Sequence, residues 1–166
     1  MPTLRRRVDV FLVPGELTVH KTAVNVKTIV GSCVAVCLFD RQAHVGGVNH
    51  YLLPHPSPGD PPDTRFGDVA IARLIEKMCQ AGGVVRRLAA AVIGGGHPVS
   101  AMGGLAVGDA NVHVALEVLR ARGISVRRQE TGGDHGRKLL FNTHTGELLV
   151  RDLRSWPARQ QEEAEA

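Results

Sequence analysis

The chain has 166 residues, of which 43% are hydrophobic and 22% are charged, and its formal net charge is +4. This length suits one domain with its own core, and the composition excludes both a disordered chain and a disulfide-dense miniprotein. No apolar run approaches the roughly 20 residues that a membrane-spanning helix needs.

The cysteines and the charged residues restrict the class of protein further. The chain has three cysteines, an odd number, and its first ten residues lack the pattern of a secretory signal. We therefore expect free thiols in a reducing cytoplasm. The basic residues are scattered, and only four Phe, one Tyr and one Trp could stack on bases, so nucleic-acid binding is not expected.

The first third of the chain predicts β-structure. Short runs rich in β-branched residues alternate with turn signals such as Pro14-Gly15 and Asp40-Arg41. The predicted strands are 8–13, 17–20, 25–30, 34–39 and 45–53. The proline-rich segment that follows, 55–63, predicts an exposed, stiff loop.

The rest of the chain predicts two helices and four more strands. Helical spacing of apolar residues begins at Asp68 and places Cys79 in the core, and a second helix is predicted over 109–122. The further predicted strands are 88–93, 124–129, 138–141 and 147–153. The fold class is therefore α/β of the α+β type, with one domain over residues 1–154 and a flexible polar tail over 155–166.

Two of the apolar runs each carry one reactive side chain, Cys33 in the run 31–36 and His50 in the run 46–54. A free thiol of pKa ~8.5 is mostly protonated at neutral pH, and a neighbouring imidazole can convert it to a nucleophilic thiolate. The small residues before Cys33 predict a sharp turn that exposes the sulfur and the adjacent amides, as an oxyanion hole requires. The alternative is that both residues belong to the core, where free cysteine is common.

The spacing of the cysteines and the sequence around the glycine triplet do not favour a metal site or a phosphate site. Cys33 and Cys37 lie four residues apart, which separates them by about 13 Å on one face of a strand. That distance is too long for one shared zinc ion, so Cys37 is predicted to be buried packing. The triplet Gly94-Gly95-Gly96 lacks the lysine and hydroxyl of a P-loop. We therefore expect a tight backbone bend there, close to a site or a packed element.

Several motifs, in family order over residues 8–153, resemble the chemoreceptor glutamine deamidase family CheD. They are Gly31-Ser32-Cys33-Val34-Ala35-Val36, the segment 46–54, Arg65-Phe66-Gly67-Asp68-Val69-Ala70, Gly94-Gly95-Gly96, Val107-Gly108-Asp109-Ala110-Asn111, Thr131-Gly132-Gly133 with Gly136-Arg137-Lys138, and the segment 145–150. The resemblance implies a β-sandwich core flanked by helices, similar to the catalytic domain of cytotoxic necrotizing factor toxins. It also implies a site made of a cysteine, a histidine and a threonine.

By position, the resemblance assigns the nucleophile to Cys33 and the general base to His50. The family threonine lies six residues before the cysteine, where this chain has Lys27 with Thr28 beside it. Two alternatives follow. Thr28 takes the role through a local shift of the strand, or the third member is absent and a backbone carbonyl orients the imidazole. Adjacent strand positions face opposite sides, so the difference matters.

The implied reaction converts glutamine to glutamate on methyl-accepting chemoreceptors through a thioester on Cys33, with the backbone around Gly31 and Ser32 supporting the oxyanion. No metal or organic cofactor is implied. The implied partners are the cytoplasmic domains of chemoreceptors and a CheC-like phosphatase, without nucleic acid or membrane insertion. The alternative is a non-catalytic chemotaxis adaptor that binds receptors or such a phosphatase. Lys27 favours the adaptor, and the presence of both Cys33 and His50 favours the enzyme.

Overall fold

The computed structural model describes residues 7–98 and 104–155, with the side chains of all of these except 104–106 and 155. The described chain forms nine strands and two α-helices. The strands are β1 (Val8–Phe11), β2 (Leu17–His20), β3 (Val24–Val30), β4 (Val34–Asp40), β5 (Val45–Asn49), β6 (Leu88–Gly94), β7 (Ser125–Thr131), β8 (Arg137–Asn142) and β9 (Leu148–Asp152). The helices are α1 (Gly67–Gln80) and α2 (Gly104–Ala121).

Three layers organise the fold. A four-stranded sheet of order β1-β3-β8-β9 packs against a five-stranded sheet of order β2-β5-β4-β6-β7. Both helices lie on the other face of the five-stranded sheet, where α1 and α2 share a buried cluster with alternate residues of β4. The predicted mixed α+β class is confirmed.

The strand sequences follow from this layering. Strand β4 is buried on both faces, which explains its continuous apolar run: Ala35 and Cys37 face the other sheet, while Val34 and Val36 face the helices. Strand β3 belongs to the outer sheet and alternates between buried and half-buried residues along its whole length. This alternation is typical of a strand in a sheet that is covered on a single face.

Strand β5 ends at Asn49, so the predicted strand over 45–53 is wrong at its C-terminal end. The Oδ1 atom of Asn49 accepts the amide hydrogen of Val36 at 2.9 Å, where a main-chain carbonyl would continue the ladder. Beyond it, the described chain has isolated bridges, from Val34 to Tyr51 and from Leu53 to Phe66. His50 therefore lies just after the strand and not within it.

Helix α2 begins at Gly104, five residues before the predicted start at 109. Gly108 lowers the helical signal of the sequence, but the fold requires it, because a Cβ there would lie 2.5 Å from the carbonyl oxygen of Gly96. The prediction that Cys79 is a core residue is also wrong. Cys79 is exposed, since the buried stripe of α1 passes through its neighbour Met78.

The predicted exposed loop over 55–63 is confirmed, since its residues are exposed or half-buried. The predicted polar tail lies outside the described residues beyond position 155. Neither described helix is both long enough and apolar enough to cross a membrane.

Candidate active site

The turn that carries Cys33 is tethered through every one of its carbonyl groups. The oxygen of Gly31 accepts the amide hydrogen of Gly96 at 2.8 Å, and the oxygen of Cys33 accepts that of Gly95 at 2.9 Å. Between them, the oxygen of Ser32 accepts a hydrogen bond from the side chain of Asn111 at 2.9 Å. The turn between β3 and β4 is therefore fixed by the glycine segment that follows β6 and by α2.

The glycine triplet supplies the tight bend that its sequence predicts. Gly94 and Gly95 have φ angles of +116° and +63°, in the region that disfavours other residues. A Cβ on Gly94 would lie 2.2 Å from the carbonyl oxygen of Cys33. Gly31, in contrast, has a negative φ. The backbone conformation that favours glycine, expected in the turn before Cys33, therefore occurs instead at Gly94 and Gly95, which contact that turn.

Cys33 and His50 lie on the same face of the five-stranded sheet. Val34 and Tyr51 exchange two main-chain hydrogen bonds, of 3.2 and 3.0 Å, and this rung continues the register of β4 with β5. In that register His50 stands opposite Ala35, so Cys33 is its diagonal neighbour, at a typical backbone separation of about 7–8 Å. No hydrogen bond joins the thiol to the imidazole in the described part of the chain.

Thr28 contacts the imidazole from the opposite sheet. Its hydroxyl lies 2.7 Å from His50 Nδ1 and donates to the carbonyl oxygen of Leu12 at 2.8 Å. Because the hydroxyl has one hydrogen and Leu12 O accepts it, Nδ1 must be the donor to Thr28. This assigns the neutral tautomer with its proton on Nδ1 and leaves Nε2 with a free lone pair.

Lys27 points away from the site. Strand β3 pairs with β8 without a register break over Asn25–Val30, so adjacent residues face opposite sides. Thr28 is fully buried between the sheets, and Lys27 forms an ion pair of 3.2 Å with Asp9 on the outer face. No local shift of the strand is needed to bring Thr28 to His50, and the backbone carbonyl of Leu12 contacts Thr28 and not the imidazole.

Burial sets the protonation of the site. It lowers the pKa of His50 from 6.5 to about 4, since the imidazole is only 2% exposed. Burial also raises the pKa of the half-buried Cys33 thiol, and the residue's own amide N–H opposes that rise. The resting pair at neutral pH is therefore a thiol and a neutral imidazole. Nε2 is buried and has no hydrogen-bond partner among the described residues, so it can accept a proton.

The other predicted features are separate from this site. Cys37 is 2% exposed and burial raises its pKa to about 12, which confirms it as buried packing. Among the described residues, no group of three or more His, Cys, Asp or Glu side chains has the arrangement of a metal site.

Sequence reasoning assigned no role to three contributors to the geometry, although two of them lie in the motifs that resemble the family: the carbonyl of Leu12, the side chain of Asn49 and the side chain of Asn111. The last is a buried polar residue on the inner face of a helix, which is an unusual pattern. That pattern was the available signal for Asn111. The roles of Leu12 and Asn49 depend on contacts between distant segments, so no local sequence pattern indicates them.

These features define a class: a two-sheet α/β protein whose sheet interface holds a threonine and histidine beside a tethered cysteine turn. The family model for CheD chemotactic sensory transduction matches residues 52–152. The chain belongs to the CheD family.

Curated relatives extend the match over most of the chain. A probable chemoreceptor glutamine deamidase CheD of Rhodospirillum rubrum is 42% identical over 147 residues, covering 87% of this chain and 82% of that protein. A second, from Anaeromyxobacter dehalogenans, is 40% identical over 148 residues, covering 89% and 86%. A third, from Sulfurimonas denitrificans, is 34% identical over 128 residues, covering 76% and 82%.

Proposed function

We propose that this protein deamidates glutamine side chains of methyl-accepting chemoreceptors, with Cys33 as nucleophile and His50 as general base. The relatives' names support the substrate and the reaction. The observation that carries the mechanism is the hydrogen bond between Thr28 and His50 Nδ1, because it leaves Nε2 as the proton acceptor on the face shared with Cys33. Thr28 orients the base, which removes the need for a threonine at position 27.

In the first half of the reaction, the sulfur of Cys33 attacks the carboxamide carbon of the glutamine while the thiol proton passes to His50 Nε2. The developing oxyanion is stabilised by backbone amides of the turn, those of Ser32 and Cys33. Collapse of the tetrahedral intermediate breaks the carbon–nitrogen bond. His50 returns its proton to the leaving nitrogen, ammonia departs, and a thioester remains on Cys33.

In the second half, His50 Nε2 takes a proton from a water molecule, and the water oxygen attacks the thioester carbon. The carbon–sulfur bond breaks, the proton returns to sulfur, and glutamate is released. The net change is one water consumed and one ammonia produced for each glutamine. The chemistry uses side chains and backbone of this chain with no redox step and no organic cofactor.

Neutral groups in the resting state suit this sequence of steps. An imidazole whose pKa lies well below 7 is already a free base, so the acid limb of activity is expected near pH 4–5. The substrate must bring sulfur and Nε2 together, which is common when catalytic hydrogen bonds tighten only in the complex.

Three finer statements belong to the same proposal. We expect the fold to be similar to the catalytic domain of cytotoxic necrotizing factor toxins, the protein to act in the cytoplasm on the receptors' cytoplasmic domains, and a CheC-like phosphatase to be a second partner. The two sheets and the flanking helices are consistent with the first of these.

The test is intact-mass analysis of a purified receptor cytoplasmic fragment after incubation with the protein, combined with an ammonia assay. We expect a mass gain corresponding to conversion of amide to acid, matched by released ammonia. Cys33→Ala removes the nucleophile and should abolish both signals. Cys79→Ala, which changes an exposed cysteine far along the chain, is the matched control and should retain them.

The second candidate is a non-catalytic adaptor. Absence of any mass gain across several receptor fragments, together with retained receptor binding, would support the adaptor and reject the enzyme. The same samples measured by a binding assay decide between the two functions.

A further inference from the structure

Asn111 connects the two segments that carry Cys33 and His50. Its side chain on α2 is fully buried, and Nδ2 donates to the carbonyl oxygens of Ser32 and Leu52, both at 2.9 Å. The reverse amide orientation would place Oδ1 against two carbonyl oxygens, so the donor side is fixed. Both hydrogens of this amide are therefore used on the site.

The two carbonyls lie at one level of the sheet. The register that pairs Val34 with Tyr51 places Cys33 opposite Leu52 when it is continued by one residue, so Asn111 bridges the two segments directly beside the nucleophile. The hydroxyl of Tyr51 donates to the main-chain oxygen of Asn111 at 2.5 Å, which fixes the helix at the same point. These bonds hold the Cys33 segment and the His50 segment at one separation.

The bond to Ser32 also sets the direction of an amide. In a trans peptide, the carbonyl of one residue and the N–H of the next point in opposite directions. Holding Ser32 O toward α2 therefore directs the N–H of Cys33 away from the helix. In the described part of the chain, the N–H of Cys33 interacts with its own sulfur, and no other residue accepts from it or from the N–H of Ser32. No bond to another residue therefore has to break before these amides contact a substrate oxygen.

We propose that Asn111 is a positioning residue that aims the N–H of Cys33 at the substrate oxyanion and sets the spacing between Cys33 and His50. The inference rests on the proposed deamidase function and deepens it, because it names the group that preorganises the oxyanion donor. Asn111 acts through the backbone and does not contact the reacting atoms.

The first test is steady-state deamidation of a receptor fragment by Asn111→Ala. Misdirecting one oxyanion donor should lower kcat by about 10- to 100-fold. KM should stay within a factor of about two, because the interaction is made mainly in the transition state.

The matched control is Thr143→Ala. Thr143 is also fully buried and also bridges two main-chain groups: it accepts from Val24 N at 2.9 Å and donates to Thr22 O at 2.7 Å. Thr143 contacts the first residue of β3, Val24, whereas Thr28 lies near the other end of that strand. We expect this variant to lose stability in urea unfolding while keeping its kcat. An equal loss of kcat in both variants would overturn the positioning role.

The second test needs no receptor, so it separates this inference from the proposed function. Iodoacetamide alkylation of Cys33, followed by peptide mapping across pH in a Cys79→Ala background, reports the apparent thiol pKa. Losing the aimed N–H should raise that pKa in Asn111→Ala. A simple loosening of the site would expose the thiol and lower it, and a lowered or unchanged pKa would reject the inference.

If Asn111→Ala is unfolded at the assay temperature, Asn111→Ser is measured instead, since its hydroxyl can satisfy only one of the two carbonyls. A folded Ser variant with the parent kcat and the parent thiol pKa would overturn the proposal. A parent protein without deamidation would reject the proposed function, and the alkylation result would still decide whether Asn111 positions Cys33.

Discussion

Replacement of Thr28 by valine tests how His50 is oriented. The two side chains have nearly the same shape, so Thr28→Val removes the hydroxyl with little change in packing. The buried oxygen of Leu12 and the Nδ1 atom of His50 would both lose their partner. Two lost hydrogen bonds and two buried unsatisfied groups should destabilise the protein by about 2–4 kcal/mol.

In the proposed mechanism His50 is positively charged during the reaction, and the effect on activity follows from that charge. A hydrogen bond to the imidazolium contributes ~1.5–3 kcal/mol, and each ~1.4 kcal/mol corresponds to a factor of ten in rate. We therefore expect kcat/KM for receptor deamidation to fall about 10- to 100-fold in Thr28→Val, measured at a temperature where urea unfolding shows the variant to be folded.

Two matched variants make the result specific. Thr28→Ser keeps the hydroxyl and should retain most of the activity. Lys27→Ala changes the adjacent residue, which forms an exposed ion pair with Asp9 on the outer face, and should leave kcat/KM unchanged. A folded Thr28→Val with parental activity, or a Lys27→Ala as impaired as Thr28→Val, would refute this reasoning.

The structure supports three further predictions. Burial lowers the pKa of His50 to about 4, so only the unfolded chain takes up this proton as pH falls from 6.5 toward 4, and up to about 3 kcal/mol of stability is lost over that window. Urea unfolding at both pH values should show this component in the parent protein and not in His50→Gln; equal losses in the two would contradict it. Gly94→Ala should destabilise the protein by more than ~2 kcal/mol, because its Cβ would lie 2.2 Å from Cys33 O and its positive φ would be strained. The control, Gly82→Ala, has a similar φ but no atom within 4 Å of the added Cβ. Equal urea midpoints for the two variants would argue against the close approach at Gly94. In native thiol labelling, Cys79 should react and Cys37, whose pKa burial raises to about 12, should react only after unfolding; rapid labelling of Cys37 would disprove its burial.

The local pattern of the sequence was sufficient for most of the secondary structure. Strand β4 and the buried stripe of α1 are consequences of residue type and period, so they are readable without the fold. One error, the placement of Cys79 in the core, lies at the edge of the apolar stripe of α1, which passes through Met78. Two other errors lie where a contact between distant segments overrides the local pattern. The sequence did not predict the start of α2, because Gly108 lowers the helical signal. The fold requires glycine at this position because its backbone lies close to that of Gly96. The end of β5 is set by the Asn49 side chain, which replaces a ladder bond.

For the candidate site, the sequence alone determined the reactive residue types: a cysteine after small residues, a histidine in an apolar run and a glycine bend nearby. Only the tertiary structure shows which of the neighbouring residues Lys27 and Thr28 contacts the imidazole of His50. The alternation of β3 turns Thr28 inward and Lys27 outward, but the inner face is defined by the second sheet. Likewise, Asn111 is distant in sequence from Ser32 and Leu52, and the two hydrogen bonds that join them exist only when α2 packs on the sheet. Short-range sequence patterns encode the elements, whereas the directions of hydrogen bonds between them depend on how those elements pack.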